Sequence, residues 1–263
     1  MKSKSIFLFF AAIILLLTTI TLAADKPTKS PSRKGWKLAW KDEFNGNKLN
    51  LKNWTRYTRD GKSDWDRHMS GLDSLCRVKN GVLQLWGINT PEGYKDEDNR
   101  PFLTGGVGSK GKRSVKNGRF EVRARYDCGE GFWPAIWLMP DIRIRHPFGG
   151  EVDIMEHLNN DNIVFQTVHT PHTLYKREPT IQHYVTVPIK KDEFNVYAVE
   201  LSDSEVTFLR KRQKDIHIQK SGARIGGSIP ILPLPFLCDS FGTVGRQLGR
   251  QCRSSRSACK DGD

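Results

Sequence analysis

At the centre of the 263-residue sequence stands Gly150-Glu151-Val152-Asp153-Ile154-Met155-Glu156, in which apolar side chains separate three carboxylates. Such alternation is typical of a β-strand that turns one face into a core. Strict alternation would place Glu156 on the face opposite the other two acids. A β-bulge near Ile154 or Met155 would return it to their face, and we therefore predict a bulge there.

Three carboxylates so close together predict unusual proton chemistry. Like charges on neighbouring groups raise at least one pKa, which provides a proton donor near neutral pH. In a bulged strand, Glu151 and Glu156 could lean to within about 5 Å of each other, the separation of the carboxyl groups in a retaining glycosidase. Three other interpretations stay open on this pattern alone: a solvated acidic strand, a cation site of three carboxylates, and a chance cluster.

Aromatic and imidazole side chains flank the acidic stretch. Upstream, Phe132-Trp133-Pro134-Ala135-Ile136-Trp137 sets two Trp residues on one face of a strand, where an indole can stack on a sugar ring. A core position is the alternative for Trp133 and for Trp137. Downstream, His169 and His172 could donate to a sugar hydroxyl or an acid, or lie at the surface or in the core. A metal site of both histidines and a carboxylate fits less well.

A period of two residues dominates from 36 to about 220. Gly118-Arg119-Phe120-Glu121-Val122-Arg123-Ala124-Arg125-Tyr126 alternates small or charged residues with apolar ones, and 194–201 with 206–209 are predicted to form a hairpin. No long helical period is present. Many short strands with frequent turn residues predict one all-β domain, an antiparallel β-sandwich.

The first 35 residues differ in composition from the rest. Residues 1–23 have a positive start, an apolar stretch at 6–17 and the small-residue cleavage site Thr21-Leu22-Ala23, which predict a secretory signal peptide. A transmembrane anchor is the alternative. Residues 24–35 are predicted to form a solvated linker. We expect a secreted protein, extracellular or periplasmic, with no membrane association after cleavage.

Charge and cysteine content exclude some classes of protein. The formal net charge of +13 would suit nucleic-acid binding, but the basic residues are scattered and form no basic helix or stripe. We expect no nucleic-acid partner, and we expect a monomer. Cys76 and Cys128 could pair or remain buried thiols. The other three cysteines lack the C-x-x-C spacing of a zinc site: Cys238, Cys252 and Cys259.

The Trp stretch and the acidic strand together resemble glycoside hydrolase family 16. The matching segments are Gly131-Phe132-Trp133-Pro134-Ala135-Ile136-Trp137 and Glu151-Val152-Asp153-Ile154-Met155-Glu156, the second in the bulged form of the family. Three further segments agree in order: Trp40-Lys41-Asp42-Glu43-Phe44, Gly105-Gly106-Val107 and Gly118-Arg119-Phe120-Glu121-Val122-Arg123-Ala124. The likeness covers about 36–219 and implies a jelly-roll, concanavalin A-like catalytic domain at 36–220.

The resemblance also implies roles for the acids. Glu151 would be the nucleophile, Asp153 the residue that orients it, and Glu156 the general acid/base of a double displacement. Residues at the family positions of Trp133, Trp137 and His169 bind substrate. The bulged form is more similar to the laminarinase and lichenase branches than to the carrageenases. It implies an endo-β-1,3 or mixed-linkage β-1,3-1,4-glucanase that needs no cofactor, with a β-agarase or porphyranase type as the alternative.

The segment 221–263 departs from the family pattern. It lacks the aromatic strands with which family members end, and Pro230, Pro233 and Pro235 are incompatible with a central strand. We predict an atypical, frame-shifted or divergent tail and a sandwich that misses its last strands. A calcium site that many members build from N-terminal and C-terminal residues would lose half its ligands. A non-catalytic glucan-binding or misfolded remnant is the alternative to an enzyme.

Overall fold

The computed structural model describes residues 36–59, 65–94, 100–176, 183–191, 193–210, 213–219 and 236–244. The chain divides into two compact units, Met1–Asp42 and Glu43–Asp263. In the first unit the described residues, 36–42, contain no helix or strand. The predicted signal peptide and linker lie outside the described residues. Within the described part of the chain, no helix has the length and apolar content needed to cross a membrane.

Strands account for nearly all the regular structure of the second unit. They are β1 (Thr55–Arg56), β2 (Cys76–Lys79), β3 (Val82–Leu85), β4 (Gly87–Asn89), β5 (Phe102–Thr104), β6 (Gly106–Gly108), β7 (Ser114–Val115), β8 (Gly118–Ala124), β9 (Phe132–Pro140), β10 (Glu151–His157), β11 (Ile163–His169), β12 (Tyr184–Pro188), β13 (Asn195–Leu201), β14 (Glu205–Arg210), β15 (Gln213–Gln219) and β16 (Phe236–Val244). Short 3-10 turns span Asp73–Leu75 and Glu92–Tyr94, and a π-helical turn spans His172–Lys176.

Two antiparallel sheets form the framework. The larger, eight-stranded within the described residues, runs β1-β6-β16-β9-β10-β11-β12, with β7 beside β16. The smaller has the order β15-β14-β13-β8, and two hairpins, β2-β3 and β4-β5, complete the unit. The predicted hairpin at 194–201 and 206–209 is confirmed as β13 and β14, whose turn closes with Ser202 N donating to Glu205 O at 3.0 Å.

The core lies between the two sheets. Val152, Ile154 and Val168 of the larger sheet are fully buried, as are Val199 and Phe208 of the smaller, and all belong to one apolar cluster. Strands of both sheets therefore contribute apolar side chains to a shared interior, as in a β-sandwich. The predicted all-β antiparallel sandwich is confirmed.

The structure differs from the sequence-based expectation at the C-terminal end. Residues 236–244, inside the segment predicted as an atypical tail, form β16 in the middle of the larger sheet, between β6 and β9. The three prolines excluded the residues up to 235 from a central strand, but β16 begins at Phe236 and contains no proline. Every residue of β16 thus has a backbone N–H for the ladder. The other residues of 221–263 lie outside the described residues.

Cys76 was predicted either to pair with Cys128 or to remain a buried thiol, and the structure shows the second. Cys76 is a buried free thiol whose Sγ lies 3.6 Å from Gly106 O, so it does not pair with Cys128. Burial raises the pKa of the Cys76 thiol to about 11. Cys238 is part of β16, and Cys252 and Cys259 lie outside the described residues.

Candidate active site

The acidic stretch forms β10, and its predicted bulge is confirmed. Asp153 pairs with Trp137 of β9 and Glu156 pairs with Ala135, so three steps along β10 match two steps along β9. The same shift occurs against β11 on the other side. A bulge inserts one unpaired residue and reverses the alternation beyond it. Glu156 consequently returns to the face of the sheet that carries the other two acids.

The bulge divides the side chains of β10 between core and site. Ile154 and Met155 are adjacent in sequence and both fully buried in the apolar core. Glu151 and Glu156 are partly exposed, whereas Asp153 between them is only 2% exposed. The arrangement places one buried carboxyl group between two that solvent or a substrate can reach.

Burial and mutual repulsion give the carboxyl groups different proton affinities. Burial, followed by the charges of Glu151 and Glu156, raises the pKa of Asp153 well above its usual range, and a hydrogen bond with Glu151 adds to the effect. These effects all favour the protonated form of Asp153, in which its O–H can donate to Glu151. Burial and then the charge of Glu151 raise the pKa of Glu156 to about 7. Burial and the neighbouring carboxylates thus favour the protonated forms of both Asp153 and Glu156.

Neighbouring strands provide hydrogen bonds to Glu156. Trp133 Nε1 on β9 donates to Glu156 Oε1 at 3.0 Å, and Thr167 Oγ1 on β11 donates to Glu156 Oε2 at 3.4 Å. Both bonds stabilise the carboxylate and lower the pKa of Glu156 against the effect of burial. Trp133 was predicted as a substrate-binding residue, and the structure brings it to the acid itself. Sequence reasoning missed Thr167; its place two residues before His169, on the same strand face, was the available signal.

Two histidines face the other carboxyl groups. His169 Nε2 of β11 lies 3.2 Å from Asp153 Oδ2, and burial lowers the pKa of His169. The structure thus brings His169 into the site, beside Asp153. His146 Nε2 lies 2.6 Å from Glu151 Oε2. Sequence reasoning missed His146 because it lies in a loop without a periodic pattern. His172 begins the π-helical turn after β11.

Trp137 was predicted to bind substrate, with a core position as the alternative, and its side chain is buried. Its side chain is 8% exposed and forms a cluster with Met69, against which Trp65 packs. The rings of Trp65 and Trp137 meet edge to face at 5.5 Å, and Tyr57 meets Trp65 in the same way at 6.1 Å. A ring so enclosed offers little surface to a sugar, so we assign Trp137 to the support of the site. Trp65 and Tyr57 are the more accessible aromatics.

A metal ion is the other chemistry that this geometry permits. Among the described residues, Glu151, Asp153 and His169 offer ligand atoms that all lie within 4.8 Å of one another. This group does not fit the calcium site that the family resemblance implies, because it comes from two central strands. Calcium also prefers oxygen ligands to an imidazole nitrogen. We therefore treat the three side chains as parts of the acid cluster.

Comparisons with known proteins find glycoside hydrolases that are similar to this chain in sequence and in fold. A family model described as "XgeA-like, catalytic GH16 domain" matches residues 123–214. A β-glucanase of Rhodothermus marinus is 30% identical over 198 residues, which cover 73% of this chain and 68% of that protein. A keratan-sulfate endo-1,4-β-galactosidase of Sphingobacterium multivorum is 35% identical over 138 residues, 51% of this chain and 32% of that protein. The structure of the Rhodothermus marinus laminarinase superposes with a TM-score of 0.70 at 26% identity and covers 80% of this chain and 86% of its own.

Proposed function

Because this chain belongs to glycoside hydrolase family 16, we propose that it is an endo-acting hydrolase of β-1,3-glucan or mixed-linkage β-1,3-1,4-glucan that retains the anomeric configuration. The observation that carries the proposal is the bulged strand β10, which gathers Glu151, Asp153 and Glu156 on one face. The similarity to the Rhodothermus marinus β-glucanase supports the choice of a β-glucan as the substrate.

The reaction follows from the protonation states of the acids. Protonated Glu156 donates to the glycosidic oxygen while ionised Glu151 attacks the anomeric carbon, which breaks the glycosidic bond and forms a glycosyl ester. Glu156, now a carboxylate, takes a proton from water, and the water attacks the anomeric carbon and releases Glu151. Two inversions at one carbon retain its configuration. A pKa of about 7 suits Glu156 to both steps, because the group must be an acid first and a base second.

Asp153 and the partners of Glu156 prepare these groups for reaction. In its protonated form, Asp153 donates a hydrogen bond to Glu151 and helps to orient it without adding a second full negative charge. Trp133 and Thr167 hold the two oxygens of Glu156 from both neighbouring strands. Because all these residues lie on paired strands, their positions are set by the sheet register.

The experiment is an assay of reducing sugar released by the chain from laminarin and mixed-linkage β-glucan. Glu151→Ala should abolish release. Glu193→Ala is the matched control, since this exposed acid pairs with Lys190 at the surface and its loss should be silent. Release of long oligosaccharides first would show endo action, and proton NMR of the first product would show its anomeric configuration. A folded chain that releases nothing from either glucan would contradict the proposal.

A galactan hydrolase is the second candidate. The 35% identity to the keratan-sulfate endo-1,4-β-galactosidase favours it. The same assay with keratan sulfate, agarose and porphyran separates the two candidates, because the carboxylates serve either substrate and the site's surroundings select between them. Release from a galactan and from neither glucan would replace the first proposal with this one.

Secretion is part of the proposal and rests on the sequence of residues 1–23. The test is mass spectrometry of the protein recovered from the medium or periplasm of an expressing cell. An N-terminus at Ala24 would support it. An uncleaved chain retained in the membrane fraction would favour the anchor alternative.

A further inference from the structure

The loop at 141–150 connects β9 to β10 and ends at the candidate nucleophile. Two tight turns follow each other in it, with Phe148 N donating to Arg145 O and Gly150 N donating to Pro147 O, both at 2.9 Å. His146 lies within the first of these turns, and the second begins at the next residue, Pro147. A β-carbon at Gly149 would come within 2.5 Å of both Ile144 and Pro140, so the loop packs closely on its own start. The loop therefore holds His146 in a defined place.

Two further contacts fix the loop to the rest of the second unit. At its start, Asp141 Oδ1 accepts a hydrogen bond from Gly111 N at 2.9 Å. Near its end, the ring of Phe148 lies 6.2 Å from that of Tyr175 in the π-helical turn. Neither contact involves the acids of β10. A change at His146 itself should consequently leave both anchors intact.

His146 makes one short contact with the acid cluster. Its Nε2 lies 2.6 Å from Glu151 Oε2, and 43% of its side chain is exposed against 15% of that of Glu151. The hydrogen bond raises the pKa of His146, and burial opposes this effect. The titratable groups that interact with this pair include Asp153 and Glu156 on β10, and His169 on β11. His146 approaches Glu151 from the loop, whereas these other groups lie on strands.

We propose that His146 is a positioning residue for the nucleophile: it donates to Glu151 Oε2 and, together with Asp153, holds the carboxylate in the orientation needed for attack. This proposal rests on the proposed function, because it assigns a role in the glycosylation step. Neither residue alone fixes a carboxylate that can rotate about its terminal torsion, whereas two donors from different sides do. A hydrogen bond to a charged group is also among the stronger polar contacts in proteins.

The role has a consequence during turnover. In glycosylation, Glu151 forms a bond to the anomeric carbon and the glycosidic C–O bond breaks. The leaving oxygen takes the bonding electron pair and the proton of Glu156. The ester of Glu151 carries no negative charge, so His146 loses its charged partner until water releases the carboxylate. The pKa of His146 should fall when the ester forms and recover on hydrolysis.

The test compares His146→Ala and His146→Gln with Arg145→Ala, which removes an exposed charge from the same loop without touching Glu151. The probe is 2-deoxy-2-fluoro-laminaribiosyl fluoride, which esterifies a retaining nucleophile and can be followed by mass spectrometry. We expect esterification to slow by about 10- to 100-fold in His146→Ala. His146→Gln, which keeps an N–H donor, should recover part of the loss, and Arg145→Ala should be unchanged. Near-UV circular dichroism checks that each variant is folded.

A second measurement does not depend on activity. NMR titration of the imidazole signals, with His146 assigned through its variant, should show a lower midpoint in Glu151→Gln than in the wild type. Wild-type esterification rates in both His146 variants, or an unchanged midpoint in Glu151→Gln, would overturn the inference. Failure of the wild-type chain to cleave any polysaccharide would instead defeat the proposed function. In that event the NMR midpoint alone decides whether His146 pairs with the acid.

Discussion

The indole of Trp133 donates a hydrogen bond to Glu156 Oε1 across 3.0 Å. This bond joins the two sequence segments that are most informative about the chain, the Trp-containing strand β9 and the acidic strand β10. It depends on the bulge, because only the shifted register sets Glu156 opposite Ala135, two residues from Trp133. Trp133, which the sequence suggests for stacking on a sugar, thus also lowers the pKa of Glu156 against the larger effect of burial.

Replacing Trp133 with Phe should make Glu156 a weaker acid. The lost bond stabilises the carboxylate, so the pKa of Glu156 should rise from about 7 by roughly one pH unit, and the alkaline limb of the kcat/KM profile should move with it. The measurement is the pH profile on laminarin between pH 4 and 10. Trp36→Phe is the control, since Trp36 is 44% exposed and lies outside the unit that holds the acids. Coincident limbs for Trp133→Phe and the wild type would contradict the prediction.

The wild-type pH profile itself follows from Glu156. The group must be protonated to assist departure of the leaving oxygen, and its pKa is about 7. Activity should therefore fall as the pH rises through about 7, tenfold per unit beyond it. Glu156→Gln should reduce kcat on polysaccharide by about 100- to 10,000-fold and remove this limb. An aryl glycoside with an acidic phenol needs little protonation, so on that substrate the first step should survive in the variant. A Gln variant with an intact alkaline limb would show that another group titrates.

Glu156 should make the folded chain less stable as the pH rises, which is the opposite of the effect of a carboxylate whose pKa is lowered by folding. The folded-state pKa of Glu156 lies above its ordinary value of 4.5, so the folded chain binds the proton more tightly than the unfolded chain between pH 4.5 and about 7. Raising the pH through this window lowers the free energy of unfolding, by an amount on the order of 3 kcal/mol at most for this group. Glu156→Gln has no such loss. The free energy of unfolding in urea should be measured for both proteins at pH 5 and pH 8. Relative to the wild type, Glu156→Gln should be more stable at pH 8 than at pH 5. An equal difference between the two proteins at both pH values would refute this.

Asp153 should tolerate Asn better than Ala. Because Asp153 is a hydrogen-bond donor to Glu151 in its protonated form, the amide of Asn can replace the function of the acid. We expect kcat to fall by about 10-fold for Asp153→Asn and by about 100-fold or more for Asp153→Ala, which leaves no donor. The comparison is made by initial rates on one glucan at pH 6. A more severe loss in Asn than in Ala would mean that the negative charge of Asp153 is what matters.

The Cys76 thiol should be inert in the native chain. It is 2% exposed, and burial raises the pKa of the thiol to about 11, so little of the reactive thiolate forms at neutral pH. Iodoacetamide at pH 8 should leave Cys76 unmodified in the folded protein and modify it fully in urea, as read by peptide mass spectrometry. Rapid modification without denaturant would show that β2 opens readily.

The features that could be predicted from the sequence depend on residues that are close together along the chain. The three carboxylates, the bulge that reunites them and the hairpin of β13 and β14 each depend on patterns within a dozen or so residues. His146 could not be found in this way, because a loop has no periodicity and the contact with Glu151 depends on two turns. The burial of Trp137 depends on Met69 and Trp65, which come about 70 residues earlier. These contacts are set by tertiary packing, which strand periodicity does not encode.

Strand β16 lies in the middle of the larger sheet but is synthesised after the strands that it pairs with. It pairs Phe236 with Pro140 and Val244 with Phe132, residues about a hundred positions apart, and it separates β6 from β9 in the larger sheet. A nascent chain that has completed β9, β10 and β11 therefore still has an open edge beside the acids, and that edge closes only when the last part of the sequence has been made. Contacts of such long range slow folding. A chain that closes its main sheet late leaves this edge of β9 unpaired for longer during synthesis.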